Sequence, residues 1–385
     1  MNYRERMLAV LNYEKADRLP ILHFGYWGET LEKWYEEGHL TNEEAHNWGE
    51  GYGSDKAIGD KLGFDHDFNV TFCPPTFMDP IFESKVVKEF PDGSRHIMDG
   101  NGVILLERPG AGSIPSEIGH TLQDRKSWEE QYIHRFRYSD ERILKTNVMV
   151  KYNEFLPFNQ GGIEFLRENK HDYWYGVFAG SLLGSLRNVV GVENLSYLRI
   201  DDEDLLIEMI NITGDLACEC LKYSLEAGAK YDFVHFWEDI CYKNGPLINP
   251  QFFYEHVGPQ YKKITDLAKE YGINIVSLDC DGLIDSLIPT WLDHGVNTMF
   301  PIEVGTWNAS IAPWREQYGK QIRGVGGMNK NVFALDYKAV DAEIERLKPL
   351  IELGGFIPCP DHRIPPDAIW ENVQYYCEKL REVKI

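Results

Sequence analysis

From residue 174 onward, short apolar runs alternate with long stretches of helical periodicity. The runs are Trp174–Phe178, Phe233–Trp237, Ile273–Leu278, Thr298–Pro301, Ile322–Val325 and Gly355–Ile357. Between them, residues 204–227, 250–271, 341–353 and 367–382 place apolar side chains three and four positions apart, as one face of a helix requires. Gly295 and Gly354 fall where such helices should stop. Nearer the start, Arg18–Phe24 reads as a buried strand running into the loop Gly25–Gly28, followed by a helix over 29–37. Strand and helix at this cadence mean parallel strands joined by crossovers. The pattern predicts an α/β fold, a (β/α)8 TIM barrel, with an open doubly wound sheet as the alternative. No G-x-G-x-x-G opens a helix after the first strand, which counts against a dinucleotide fold.

The period changes between about residues 66 and 110. Lys85–Phe90, the turn Pro91-Asp-Gly93, Arg95–Met98, then Asn101-Gly102 and Val103–Glu107 predict β-hairpins. The segment is short and has no core of its own, so it reads as an insertion (approximately 66–110) in a single domain spanning 1–385.

Composition narrows the partners. The chain has 385 residues, 43% hydrophobic and 26% charged, as an ordinary globular protein does. Its 39 basic and 61 acidic residues leave a net charge of −22, which repels phosphate backbones and anionic lipid and argues against nucleic acid. No segment approaches the roughly 18–20 apolar residues of a membrane span. Residues 1–11 are amphipathic rather than signal-like. Seven scattered cysteines fit no disulfide framework, so a reducing, cytoplasmic setting is expected.

In a barrel, chemistry belongs at the C-terminal ends of the strands. The polar residues there are His23, Glu238, Asp239, Asp279, Cys280, Asp281, Glu303, Asn329, Cys359, Asp361 and His362. Each has a plain structural alternative. Asp281 could cap the helix after it, and Glu238 or Asp239 could cap a helix or pair with a lysine. Cys280 and Cys359, with a carboxylate or imidazole, would suit zinc, which takes thiolate, imidazole and carboxylate ligands. Two unrelated buried cysteines would look the same. Cys73, Cys218, Cys220, Cys241 and Cys377 sit in helical or peripheral contexts and read as structural.

Longer stretches carry a resemblance. Arg4-Glu-Arg6-Met-Leu-Ala-Val-Leu11 with Asp17-Arg-Leu-Pro20 resembles the opening of the uroporphyrinogen decarboxylase superfamily. Gly295-Val-Asn, Pro301-Ile-Glu303, Tyr318-Gly-Lys and Gly324-Val-Gly-Gly327 resemble its centre. Gly354-Gly-Phe-Ile-Pro-Cys-Pro-Asp-His362 with Pro365-Pro-Asp367 resembles its ending. The resemblance implies a (β/α)8 barrel and offers two chemistries. Decarboxylases of the family grip porphyrinogen carboxylates with an Arg-Gln-Ala-Gly-Arg segment after the first strand. Here that place reads His23-Phe-Gly-Tyr-Trp27, without arginine. A substrate with eight carboxylates needs bidentate arginines, so the decarboxylase branch is the second choice.

The other branch comprises cobalamin-dependent methyltransferases. Resemblance to it implies a methyl group moved from a small methyl donor to cobalamin carried by a corrinoid partner protein. Many members hold zinc with a His-x-Cys pair and a later cysteine. Cys280 and Cys359 stand at those cysteine positions, Leu278 replaces the histidine, and Glu303 would supply the third ligand. Asp281, Glu238 and His362 are then the candidate catalytic groups, with His362 or Glu238 protonating a leaving phenolate. His23, Tyr26, Trp27, Trp237, Asp279 and Asn329 are the candidate substrate contacts. The aromatic residues among them, with Phe24, would suit an aryl methyl ether.

Overall fold

The computed structural model describes residues 1–110 and 115–385. Seven parallel strands form one sheet in the spatial order Phe356–Pro360, Arg323–Met328, Thr298–Ile302, Val276–Asp279, Val234–Trp237, Gly176–Phe178 and Thr71–Phe72. Leu22–His23 pairs in parallel with His66–Asp67. His66–Asp67 and Thr71–Phe72 are therefore two pieces of one interrupted strand, the second of the barrel. The ring closes between first and last strands. Ile364 N–H donates to the Gly25 carbonyl at 3.1 Å and Trp27 N–H to the Ile364 carbonyl at 3.3 Å. This is the expected closed α/β barrel.

Alternation along each strand sorts side chains into two layers. Leu22, Phe24, Phe68, Trp174, Phe233, Ile275, Phe300, Val325, Ile357 and Cys359 form the interior cluster. Its centre is aromatic. Trp174 stacks on Phe233 with centroids 4.3 Å apart, and Phe68 meets Phe300 at 4.6 Å. Val177, Val234, Phe236, Val276, Leu278 and Met299 face outward into the larger cluster beneath the helices. The helix Tyr3–Leu11, started by a reciprocal cap between Asn2 and Glu5, sends Met7, Val10 and Leu11 into the interior cluster. Gly326 lies at positive φ, and a Cβ there would meet the Ile302 nitrogen at 2.3 Å. Only glycine lets the sixth and seventh strands approach so closely.

The observed helices Glu203–Glu226, Pro250–Phe252 continuing to Glu270, Tyr337–Ile351 and Trp370–Glu382 follow the expected periodicities to within a few residues. The excursion differs from expectation in its limits. Residues 66–72 belong to the barrel, and the insertion is a four-stranded antiparallel sheet: Lys85–Glu89, Arg95–Met98, Val103–Glu107 and Ser116–His120. The polar His66 and Asp67 disguised the second strand as loop. Among the described residues no helix is long and apolar enough to cross a membrane. All seven cysteines are unpaired.

Candidate functional site

The inward residues at the C-terminal strand ends open into a cavity of about 660 Å³. Its walls are rich in aromatic rings, and its carboxyl groups outnumber its one arginine. Phe24, Trp27, Phe77, Phe155, Phe178 and Trp237 line it, together with Glu50, Asp239, Asp279, Asp281, His235, His362 and Arg363. Strand parity explains the membership. In Val234–Trp237, His235 and Trp237 share the inward face with Phe233, and in Val276–Asp279 the inward residues are Ser277 and Asp279.

The charged groups are unevenly matched. Arg363 Nη2 donates to Glu50 at 3.1 Å, and its guanidinium lies 5.8 Å from the Trp27 ring and 5.5 Å from Trp48. Arg187 Nη2 donates to the Asp239 carboxylate at 3.0 Å and to its carbonyl at 2.7 Å. Asp239 itself sits at positive φ. His362 stacks on Trp27 at 5.4 Å and leans on Phe24 at 5.3 Å, with Nε2 3.3 Å from Asp281 Oδ2. The other Asp281 oxygen is buried without a partner. Asp279 is 7% exposed, and its carboxyl makes no hydrogen bond among the described residues. Burial, then the charges of Asp281, Asp239 and Glu50, push its pKa well above the carboxylate range. His235 donates to or accepts from Ser277 Oγ at 2.7 Å, and burial lowers its pKa to about 3, so its imidazole stays neutral.

Glu238, expected as a proton donor, belongs to another structure. It is fully buried and outside the cavity lining. Its carboxylate accepts from the backbone N–H groups of Leu182 (2.8 Å), Leu183 (3.0 Å) and Gly184 (2.6 Å), and from the Tyr261 hydroxyl. It thereby satisfies the start of helix Gly184–Val190. A Cβ on Gly184 would lie 1.7 Å from the Glu238 carbonyl oxygen, so only glycine admits this approach.

The expected ligand set Cys280, Cys359 and Glu303 is not assembled. Asp279 and Cys280 are adjacent on one strand end, so they face opposite layers. Cys280 lies in the outer cluster beside Cys241, whereas Cys359 lies in the barrel interior. Burial raises both thiols well above their ordinary pKa, and their ligand atoms with those of Glu303 do not come within 4.8 Å of one another. Glu303 accepts from Gly282 N–H and from Thr306 Oγ1 at 2.7 Å, which ties the loop after the fifth strand to the short helix Val304–Trp307. These residues do not fit zinc as a group.

His23, Tyr26 and Asn329 also lie outside the cavity lining. Asn329 caps the short helix Lys330–Ala334 through its side-chain oxygen. His23 points outward to the helix Gly53–Leu62 and forms, with Asp55 and Asp67, a buried group whose possible ligand atoms lie within 4.8 Å of one another. It is the one such group among the described residues. Gly25 N–H donates to His23 Nδ1 at 3.1 Å, so the neutral ring carries its proton on Nε2, 3.9 Å from Asp55 Oδ1. Trp48 Nε1 donates to the same oxygen at 2.8 Å. Burial pushes His23 down to about 3 and Asp55 up to about 7. In this tautomer no imidazole lone pair is offered to a cation, and the group is a hydrogen-bonded polar cluster under Tyr26, whose ring stacks on His23 at 5.1 Å.

Of the candidate residues, the structure brings Trp27, Trp237, Asp279, Asp281 and His362 to one cavity. Glu50, Asn69, His235 and Arg363 join them unannounced. His235 could have been found by counting back two positions from Trp237. Glu50 and Asn69 lie in loops that carry no periodic signal.

Residues 124–383 match the family model for uroporphyrinogen decarboxylase (URO-D). The chain belongs to the uroporphyrinogen decarboxylase family. Among solved structures it is similar to a methyltransferase from Methanosarcina mazei, with a TM-score of 0.59, 16% identity and 99% of each chain covered. A B12-independent methionine synthase from Shewanella sp. W3-18-1 aligns with a TM-score of 0.46 and 10% identity, over 95% of this chain and 98% of that one. No curated protein matches the sequence.

Proposed function

We propose that this protein is a methyltransferase that moves a methyl group from a small donor to a corrinoid carried by a partner protein. One observation carries the reading. Among the described residues the only arginine lining the mouth, Arg363, is already paired with Glu50, while Asp279 and Asp281 face the cavity without an arginine or lysine partner. A polycarboxylate porphyrinogen would meet repulsion there, and no free guanidinium fork would hold it. A small donor without negative charge meets aromatic walls instead. The methyltransferase from Methanosarcina mazei, which shares the fold along nearly both whole chains, lends support. The seven free thiols suit a reducing compartment such as the cytoplasm.

A corrinoid supplies the cobalt nucleophile that accepts the methyl group. The chain's own residues do the rest. Trp27, Phe24 and Trp237 bury the donor and exclude water from the reacting carbon. Where the leaving group departs as an anion, as from an ether, His362, fixed by stacking on Trp27 and by Asp281, is placed to give it a proton. No step is assigned to zinc, because the thiol pair does not fit it.

The test is methyl transfer to free cob(I)alamin or to a corrinoid protein, followed by the corrinoid's spectral change, with a panel of methyl ethers, methylated amines and sulfonium compounds. Turnover with at least one donor, lost in Asp281→Asn, is the expected result. Carbon dioxide release from uroporphyrinogen, with no methyl transfer from any donor, would overturn the reading in favour of decarboxylation.

A further inference from the structure

The acids of the mouth are not all matched by cations. The arginines that meet the acids of the mouth are both engaged: Arg363, in the lining, with Glu50, and Arg187, behind the lining, with Asp239. Two acids are left. Asp281 has only the His362 imidazole beside one oxygen, and its second oxygen is buried with nothing to accept from. Asp279 is more than nine-tenths buried, faces the cavity and has no hydrogen-bond partner among the described residues. Neutral ligands offer such a pair little. An aryl ether, for example, can accept from a protonated Asp279 but brings no positive charge to Asp281.

The walls around these acids are ring faces. Trp27 already carries one cation, since the Arg363 guanidinium lies 5.8 Å from its ring centre. Quaternary and sulfonium cations, which have no N–H to donate, are bound in proteins by aromatic faces backed by carboxylates. Phe24 and Trp237 line the same cavity.

We propose, on the methyltransferase reading, that the donor is a methylated onium cation, a quaternary ammonium or a sulfonium, held by Trp27 and Trp237 with Asp279 and Asp281 as counter-ions. The transfer balances without an acid. The C–N or C–S bond breaks, its electron pair leaves with a neutral amine or thioether, and the methyl carbon bonds to the two-electron cobalt nucleophile of the partner's corrinoid. No proton moves in that step, so His362 orients Trp27 and Asp281 rather than protonating a leaving group. A cation beside Asp279 stabilises its ionised form against burial and against Asp281, Asp239 and Glu50, with Arg363 acting in the same direction as the ligand. Binding therefore releases a proton, and affinity rises with pH.

Equilibrium binding to the full chain tests this without requiring turnover. Choline and trimethylsulfonium are titrated calorimetrically against 3,3-dimethylbutan-1-ol, the neutral isostere of choline, and against anisole. Choline or trimethylsulfonium should bind about 10- to 30-fold more tightly than the isostere, the range a desolvated cation–π contact provides. The two cations distinguish ammonium from sulfonium. Asp279→Asn and Asp281→Asn should each erase most of that preference, while Asp55→Asn, in the buried cluster outside the cavity, leaves it intact. Asn reproduces the protonated carboxyl that burial favours at 279, so that variant is expected to fold. If the isostere or anisole binds as tightly as both cations, the proposal is overturned whatever the transfer assay gives. Cation binding with no methyl transfer would instead refute the methyltransferase reading and leave the cation site standing.

Discussion

Glu238 and Asp279 stand at the ends of neighbouring strands, the fourth and fifth, and the backbone links them: Glu238 N–H donates to the Asp279 carbonyl at 2.8 Å. Both carboxyls are buried, and burial raises the pKa of each. Their surroundings differ completely. Glu238 is surrounded by donors, three backbone N–H groups and a tyrosine hydroxyl, so its oxygens are fully employed inside the protein. Asp279 has acids for neighbours and a cavity in front of it. Burial alone does not mark a functional carboxyl. An unsatisfied buried carboxyl facing open space does, because something outside the chain must complete it.

The largest expected effect breaks this comparison on the side of stability. Glu238→Ala strands three backbone N–H groups and the Tyr261 hydroxyl in the interior, and it should cost about 3–5 kcal/mol. Chemical denaturation measures it. Asp279→Asn removes no hydrogen bond and should leave the unfolding midpoint at neutral pH unchanged or higher. Equal losses in the two variants would erase the distinction drawn between them.

Activity should show the reverse order. Asp279→Asn is expected to lower kcat/KM for methyl transfer by about 10²-fold, the size of losing one preorganised electrostatic group. A mild Glu238→Gln variant that folds should stay far closer to the parent. Measuring kcat/KM for both with the best donor decides which carboxyl does chemistry.

How much of this could be read from the chain follows from the same pair. The strands were legible because buried parallel strands are uninterrupted apolar runs. The second was not, since His66 and Asp67 look like loop residues until the helix Gly53–Leu62 covers them. Asp279, Asp281 and His362 were legible as strand-end groups. Glu238 looked no different from them, because its partners lie 54 to 56 residues away, at Leu182–Gly184. Partners supplied by another element leave no mark beside the residue itself. Cys280 is another matter: adjacent residues on a strand face opposite ways, so Asp279 and Cys280 could never both have faced the mouth.

A pH experiment sharpens the contrast between Asp279 and His235, which share the inward face of neighbouring strands. Asp279 binds its proton more tightly folded than unfolded, so its contribution to stability is present at acid pH and lost as pH rises above about 4, the unfolded carboxyl value. Asp279→Asn should therefore gain stability relative to the parent at pH 8 and little at pH 4. His235 has the opposite sign. Its folded pKa of about 3 lies below the unfolded 6.5, so the unfolded chain takes up more protons between those values. Stability is lost as pH falls through that window, by up to about 1.4 kcal/mol per pH unit. In His235→Gln that slope should flatten. Thermal melts of the two variants at pH 4, 6 and 8 would show whether the signs are opposite.

The smallest effect concerns the cysteine beside Asp279. Cys280 faces the outer layer against Cys241, and Cys359 lies in the barrel interior, so neither thiol reaches a ligand in the mouth as the other's partner. Replacing each with alanine removes one buried sulfur and should cost about 1 kcal/mol, the ordinary size of a core substitution. Methyl transfer should stay within about two-fold of the parent, because a stability change of that size leaves the folded fraction near unity. The measurement is a kcat/KM comparison of Cys280→Ala, Cys359→Ala and Asp279→Asn with metal content determined on the same preparations. Were either cysteine variant to lose zinc and activity together, the two sulfurs would have to meet in the working enzyme. The strand end would then have to turn Cys280 inward and Asp279 out, and the assignment of the mouth to its carboxylates would fall with it.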